Sequence, residues 1–182
     1  VQRVIWKEFR VAYNASPGSI GGRLNQTSLE LGDDWFALGF STNDPDAFQG
    51  HHALHILVIF DEASGVEAPI WDGSQGVLSS EGARFLSIGN PTDPTGDFCA
   101  EFKDPDVSKL AISAFETPNF TAFGILEKHI KDGSWEDMVT GPLPNPKLVT
   151  PAWVAARYKR WKPTSPMYIS RVLGEFPADA KD

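Results

Sequence analysis

Several residue types and patterns are scarce in this chain of 182 residues. There is a single cysteine, Cys99, which excludes an internal disulfide framework and a zinc site built from several thiolates. No apolar run reaches the length of about 18 residues that a transmembrane helix requires. The first residues are charged and amphipathic, so they do not resemble the apolar segment of a secretory signal. These absences favour a protein of a reducing cytoplasm.

Positive charge is also scarce. The chain has 16 Lys and Arg residues against 24 Asp and Glu, which gives a net charge of −8. A protein that grips nucleic acid over its whole surface is expected to be basic, so any contact with DNA has to use a local patch or another domain. The dense basic cluster near the end is interpreted as the solvated face of a helix; it comprises Arg157, Lys159, Arg160 and Lys162.

The first third of the chain predicts a helix followed by a hairpin. Apolar residues recur every three or four positions over residues 1–15, as in an amphipathic helix. Two short extended runs, 23–31 and 35–40, flank a Gly-Asp-Asp turn and predict two antiparallel strands.

Three apolar stretches predict strands that are buried on both faces. They occupy residues 56–60, 85–88 and 109–115, and uninterrupted apolar runs of this kind are typical of parallel sheets covered by helices. A helix near residues 68–78 would supply the crossover that parallel pairing of the first two strands requires. The sequence therefore predicts an α/β fold.

The last third predicts helices joined by a Pro-rich connector. A helix is expected over residues 121–132, with Gly133 ending it. Residues 141–146 are expected to form a semi-rigid spacer. Thr150 is then a suitable cap for a helix that begins with Pro151. Three aromatic residues are expected on the packed face of that helix rather than on a platform for nucleic-acid bases: Trp153, Tyr158 and Trp161.

Two adjacent carboxylates follow the first apolar strand. Asp61 and Glu62 come directly after residues 56–60, at the carboxyl end of a parallel strand, where α/β proteins bind ligands. In nucleotide hydrolysis one acid can hold Mg²⁺ through water, while the other orients and deprotonates the attacking water. The alternative interpretation is a solvated acidic pair at the start of a loop.

A polar amide follows the second strand. The side chain of Asn90 could hydrogen-bond a phosphate or the attacking water, whereas Asn-Pro alone is ordinary turn chemistry. Because a crossover helix separates the two strands, we expect Asp61 and Asn90 at the same edge of one parallel sheet, on adjacent strands.

The order of these segments resembles the large terminase subunit of tailed bacteriophages. The similar segments, in chain order, are residues 6–10, 57–63, 87–91 followed by Gly96 and Phe98, 112–115, and 168–177. The resemblance implies a three-layer P-loop NTPase-like core with a mainly parallel sheet, truncated at its N-terminus. It also implies an ATPase that drives double-stranded DNA into procapsids.

That resemblance implies roles and partners as well. Asp61 would be the Walker B residue that holds Mg²⁺, Glu62 the catalytic glutamate, and Asn90 part of the motif that couples ATP hydrolysis to movement. The implied ligands are Mg²⁺ and ATP. The implied partners are double-stranded DNA, the portal protein and the small terminase subunit, in the cytoplasm of the host cell and without a membrane.

One motif of that family is missing from these residues. No G-x-x-x-x-G-K-[ST] sequence occurs, and the glycine-rich stretch 18–23 lacks the Lys-Ser or Lys-Thr pair that binds a triphosphate. We therefore expect residues 1–140 to form a partial ATPase core that is inactive alone. Residues 141–182 would be a connector and helix leading to an absent nuclease domain.

The missing motif also affects the expected sheet. In the resembled fold the strand that enters the phosphate loop lies between the strand ending at Asn90 and residues 110–115. Without it, we expect those two strands to pair directly, or the chain to self-associate, because unpaired buried backbone groups are costly.

Two alternatives to the motor remain open. The first is an independent metal-dependent phosphoester hydrolase, in which further aspartates join Asp61 and Glu62: Asp93, Asp97 and Asp104. The second is a non-catalytic interaction module.

Two other groups of residues are interpreted as ordinary surface or loop chemistry. Arg23 and Arg84 are candidates for a catalytic arginine, but surface positions suit them better, and the role is left unassigned. Three histidines are interpreted as solvated or hydrogen-bonded side chains rather than metal ligands: His51, His52 and His55.

Overall fold

The computed structural model describes residues 5–16, 20–48 and 50–178. Part of the predicted first helix, part of the glycine-rich stretch and the last four residues lie outside the described residues. The chain divides into two compact units. Unit 1 comprises residues up to 58 together with 69–84, and unit 2 comprises residues 59–68 together with those from 85 onward. The functional division at residue 140 stays a prediction.

Unit 1 begins with the expected helix and hairpin. Helix α1 spans Ile5–Ala15 and buries Trp6, which packs against Gly39 so closely that a side chain at Gly39 would collide with the indole. An antiparallel sheet follows, with strands β1 (Arg23–Leu24), β2 (Ser28–Gly32) and β3 (Trp35–Leu38) in that order. The predicted run 23–31 is therefore two strands, because a turn closed by the Asn25 amide and the Ser28 carbonyl, 2.8 Å apart, interrupts it.

The two central strands are confirmed. Strand β4 spans His55–Asp61 and strand β5 spans Gly82–Ile88, and they are hydrogen-bonded neighbours in a two-stranded sheet. Between them, helix α2 (Ala68–Gln75) and a 3₁₀ turn (Gly76–Ser79) confirm the crossover near residues 68–78.

The pairing of β4 with β5 is parallel. Near the amino ends, the Ser80 hydroxyl donates a hydrogen bond to the Leu54 carbonyl, 3.4 Å away. Beyond the carboxyl ends, the Ser64 hydroxyl donates to the Asn90 carbonyl, 2.5 Å away. Like ends of the two strands therefore lie together, and the chain is a mixed α/β protein with a small parallel sheet.

Burial of β4 and β5 on both faces is not what the described residues show. Phe60 packs edge-on against Phe85 on one face, with ring centroids 5.0 Å apart. On the other face Leu57 is 60% exposed and Ile59 is 54% exposed, and Leu86 is also exposed. The expectation that both faces are buried is wrong. An apolar run indicates that a segment forms a strand, but the burial of each face depends on which other elements cover it.

The predicted third strand is also wrong. Residues 109–113 lie in no helix or strand, and Ala114–Glu116 form a 3₁₀ turn. A capping box fixes that turn, because the Glu116 carboxylate accepts a hydrogen bond from the Ser113 amide, 2.7 Å away. Direct pairing of this segment with β5 is therefore wrong as well, and self-association stays a prediction.

Six further helices lie in the described part of unit 2. They are α3 (Asp97–Lys103), α4 (Pro118–Thr121), α5 (Glu127–Asp132), α6 (Trp135–Met138), α7 (Pro151–Trp161) and α8 (Pro166–Tyr168), the last continued by a π-helical turn, Ile169–Leu173. The predicted helix 121–132 forms only over its second part, α5, because α4 already ends at Thr121 and Gly124 adopts a left-handed conformation with φ 64°. Gly133 ends α5 and the Thr150 hydroxyl caps α7, as predicted.

A cluster of buried side chains joins α4, α5, α6, α7, α8 and the π-helical turn. Its members include Phe120, Ile125, Val154, Tyr168 and Val172, none more than 1% exposed. The predicted packed face of α7 is confirmed, since its aromatic residues contact this cluster. Burial raises the pKa of the Tyr168 phenol, and the neighbouring Glu127 carboxylate raises it further.

The Pro-rich connector is held in place by one buried side chain. The Asn119 side-chain amide nitrogen donates to the carbonyl oxygens of Asn145 at 2.8 Å and Val149 at 3.0 Å, and its oxygen accepts from the Asn145 amide at 2.9 Å. Asn119 itself is fully buried. The connector is therefore part of unit 2 and not a free spacer.

Replacing Asn119 with alanine is expected to lower the free energy of unfolding by about 1–3 kcal/mol, because it removes a buried amide and leaves its part-buried backbone partners at residues 145–149 without that hydrogen bond. Asn43→Ala, at an exposed position, is the control and should change it by less than about 0.5 kcal/mol. Urea unfolding followed by circular dichroism measures both. Equal midpoints for the two variants would contradict this account of the connector.

Candidate functional site

The acid loop, residues 61–65, follows β4 directly. Asp61 is the last residue of β4, and its Oδ1 accepts a hydrogen bond from the Glu62 amide, 3.1 Å away. Glu62 has φ 55° and ψ 45° and precedes the 3₁₀ turn Ala63–Gly65. A left-handed conformation costs a non-glycine residue about 1–2 kcal/mol, and such strain is concentrated at functional sites. Both carboxylates are exposed, so a ligand could reach them.

The amide loop, residues 89–92, follows β5 and contacts the acid loop. Ser64 donates its hydroxyl to the Asn90 carbonyl at 2.5 Å and accepts from the Thr92 amide at 3.4 Å. A Cβ atom at Gly89 would stand 2.9 Å from the backbone nitrogen of Ala63, so the two backbones touch. The predicted placement of Asp61 and Asn90 at one edge of adjacent parallel strands is confirmed.

A pocket lies next to the acid loop. It has a volume of about 460 Å³ and is lined by residues 63–68 and by Asp93, Thr95, Gly96, Asp97 and Phe98. Hydrogen bonds from the amide and hydroxyl of Thr95 to the Asp93 carboxylate, at 2.9 and 2.8 Å, lower the pKa of that acid. The side chains of Asp61, Glu62 and Asn90 do not line this pocket.

The other aspartates do not complete a metal site with Asp61. Asp93 accepts hydrogen bonds from Thr95 in its own loop, and Asp104 directly follows α3 as its C-cap. Burial, with the charges of Asp104 and Asp97, raises the pKa of Glu101. Within the described ranges, no group of three or more His, Cys, Asp or Glu side chains is arranged to hold a metal ion. The independent metal-dependent hydrolase therefore gains no support from the geometry.

The basic side chains singled out from the sequence make local contacts. Arg23 pairs with Glu30 at 3.4 Å and is largely exposed, and Arg84 donates to carbonyls of its own turn. Arg157 departs from the predicted solvated face, because its guanidinium lies 5.2 Å from the ring centres of both Trp153 and Trp161. Such cation–π contact packs the arginine onto the helix.

The sequence interpretation missed Ser64 and Gly89. A serine two positions after an acidic residue and a glycine before Asn-Pro are ordinary loop composition. Ser64 and Gly89 become important because the acid loop and the amide loop, whose residues Ser64 and Asn90 are 26 positions apart in the sequence, contact each other in the fold.

The chain is similar in sequence to a known phage protein. The chain is 29% identical over 133 residues to the "Probable terminase, large subunit" of Enterobacteria phage P7. The resemblance to a terminase large subunit is confirmed. The match covers 72% of this chain and 23% of the phage P7 protein, so the chain spans about a quarter of that relative. No family model matches the chain, and no solved structure matches it.

Two further observations concern ligands of a terminase. Mg²⁺ in phosphate sites binds one or two carboxylates together with waters and phosphate oxygens, and the exposed Asp61 carboxylate has suitable chemistry. The sequence contains no G-x-x-x-x-G-K-[ST] loop for a triphosphate. The chain therefore offers a suitable carboxylate for the metal ion but no such loop for the nucleotide.

None of the described helices has the length and apolar character needed to cross a bilayer.

Proposed function

We propose that this chain supplies the acid and amide loops of the ATP-driven motor that packages double-stranded DNA in a phage. One observation carries the proposal: the loop bearing Asp61 and Glu62 contacts the loop bearing Asn90, at the carboxyl edge of two parallel strands. That edge is where α/β proteins bind ligands, and the chain is similar to a terminase large subunit.

The three side chains have separate tasks in this proposal. Asp61 would hold Mg²⁺, which when bound neutralises charge on the phosphate oxygens of ATP. Glu62 orients the attacking water and takes a proton from it onto its carboxylate. The Asn90 amide donates a hydrogen bond to a phosphate oxygen or to that water.

The partners follow from the packaging role. They are double-stranded DNA, the portal protein and the small terminase subunit, met in the cytoplasm of the host cell. With a net charge of −8, this chain repels a phosphate backbone over most of its surface, so DNA contact belongs to a local patch or to other parts of the polypeptide.

The full-length product of the gene and the 182-residue chain are expected to differ in ATP turnover. The full-length product should hydrolyse ATP with Mg²⁺ and double-stranded DNA, whereas the 182-residue chain should bind ATP weakly and release no measurable phosphate. The reason is that a triphosphate-binding loop supplies most of the positioning of the phosphates. Phosphate release measures both. Glu62-dependent turnover by the short chain, or an inactive full-length product, would contradict the proposal.

A further inference from the structure

The contact between the acid loop and the amide loop is made by few atoms. The Ser64 hydroxyl is the hydrogen-bonding side chain in that contact: it donates to the Asn90 carbonyl at 2.5 Å and accepts from the Thr92 amide at 3.4 Å. The Thr92 amide also donates to the Asn90 carbonyl, 2.8 Å away. One hydroxyl therefore closes a small hydrogen-bonded ring across the two loops.

The backbones of the two loops meet at Gly89. A methyl group there would stand 2.9 Å from the Ala63 nitrogen, 3.4 Å from the Glu62 carbonyl carbon and 3.5 Å from the Ser64 nitrogen. All three atoms are backbone atoms, which cannot swing away as a flexible side chain can. Any side chain at position 89 must therefore displace the backbone beside Glu62.

The acid loop has little freedom of its own. Ala63 is 1% exposed, and the 3₁₀ turn is closed by the Gly65 amide donating to the Glu62 carbonyl at 2.9 Å. Glu62 is held in its left-handed conformation between this turn and the end of β4. Because this turn is hydrogen-bonded, a displacement of Ser64 is expected to move Glu62 as well.

We propose that Ser64 is a positioning residue that locks the acid loop to the amide loop, so that the placement of Glu62 and that of Asn90 change together. The inference rests on the proposed function for its catalytic consequence, whereas the lock itself is a property of the fold. Ser64 touches no reacting atom in this scheme. Its effect is on the alignment of the Glu62 carboxylate with water, where a displacement of about 1 Å can cost up to about 100-fold in rate.

The first test measures the lock without any activity. Amide hydrogen exchange is compared in the 182-residue chain and in its variants Ser64→Ala and Ser64→Thr. Loss of the hydroxyl should speed exchange over residues 89–92 by about 2- to 10-fold, the effect of one net hydrogen bond, and threonine should restore the original rate. Ser79→Ala is the matched control, because among the described residues the Ser79 hydroxyl bonds within its own turn, to the Gly76 carbonyl.

The second test measures the consequence in the full-length gene product. Ser64→Ala should lower kcat for ATP by about 10- to 100-fold with KM within about twofold, and Ser64→Thr should recover most of kcat. Gly89→Ala keeps the hydroxyl but crowds the Ala63 nitrogen, so it should lower kcat in the same way. Ser79→Ala should leave both constants unchanged.

The outcomes separate the lock from the proposed function. Unchanged exchange over residues 89–92 in Ser64→Ala overturns the lock, whatever the ATP assay gives. Faster exchange with an unchanged kcat overturns the positioning role. Faster exchange in a full-length product that hydrolyses no ATP overturns the proposed function and, with it, the catalytic consequence of Ser64.

Discussion

Glu62→Gln in the full-length gene product is expected to lower kcat for ATP hydrolysis by about 10²- to 10⁴-fold, the usual contribution of a general base. Glutamine keeps the size and the hydrogen-bonding reach of the side chain, but it cannot accept the proton of the attacking water. Because Glu62 is exposed and directly follows the last residue of β4, the change should not alter folding. Affinity for Mg²⁺ and ATP should stay within about twofold, since the proposed metal residue is Asp61.

Glu81→Gln is the matched control for this prediction. Glu81 is also exposed and lies just before β5, at the opposite end of that strand from Asn90, so the same loss of charge there should leave kcat unchanged. Stopped-flow phosphate release gives kcat, and binding of a fluorescent ATP analogue gives the affinity. Full activity in Glu62→Gln would remove the glutamate from the mechanism, and equal losses in both variants would indicate an effect of charge alone.

Phe120→Ala is expected to have the largest effect on stability, lowering the free energy of unfolding by about 3–5 kcal/mol. The Phe120 ring is fully buried in the helical cluster of unit 2 and packs edge-on against Phe115, with centroids 5.3 Å apart. Truncation removes the transfer free energy of the ring and leaves a cavity that rigid neighbours fill only in part. Urea unfolding followed by circular dichroism measures the loss.

Leu110→Ala provides the contrast, because it tests the segment that sequence patterning assigns to a third strand. Leu110 is 79% exposed, so the change should alter the free energy of unfolding by less than about 0.5 kcal/mol. A core-like loss of about 2–5 kcal/mol would mean that Leu110 is buried in solution. If that loss of stability disappeared when the protein was diluted, the burial of Leu110 would be due to self-association.

The local elements of this chain followed from residue patterns, and the exceptions have identifiable causes. Residues 56–60 and 85–88 became strands because apolar residues, many of them β-branched or aromatic, suit a pleated sheet. Thr150 and Gly133 marked helix ends because capping depends on adjacent residues. The stretch 109–115 has the same apolar character, yet the capping box at Ser113 turns the chain there.

For the candidate site, the sequence determined which groups carry the chemistry, and the tertiary structure decided how they are connected. Asp61, Glu62 and Asn90 could be chosen from the sequence because strand ends in a parallel sheet meet at one edge. The left-handed conformation of Glu62, the hydrogen bond from Ser64 to Asn90 and the close approach of Gly89 to Ala63 could not. These features depend on distances between segments remote in the chain. Pattern and propensity describe only neighbours in sequence, whereas the packing of β4 beside β5 sets those distances.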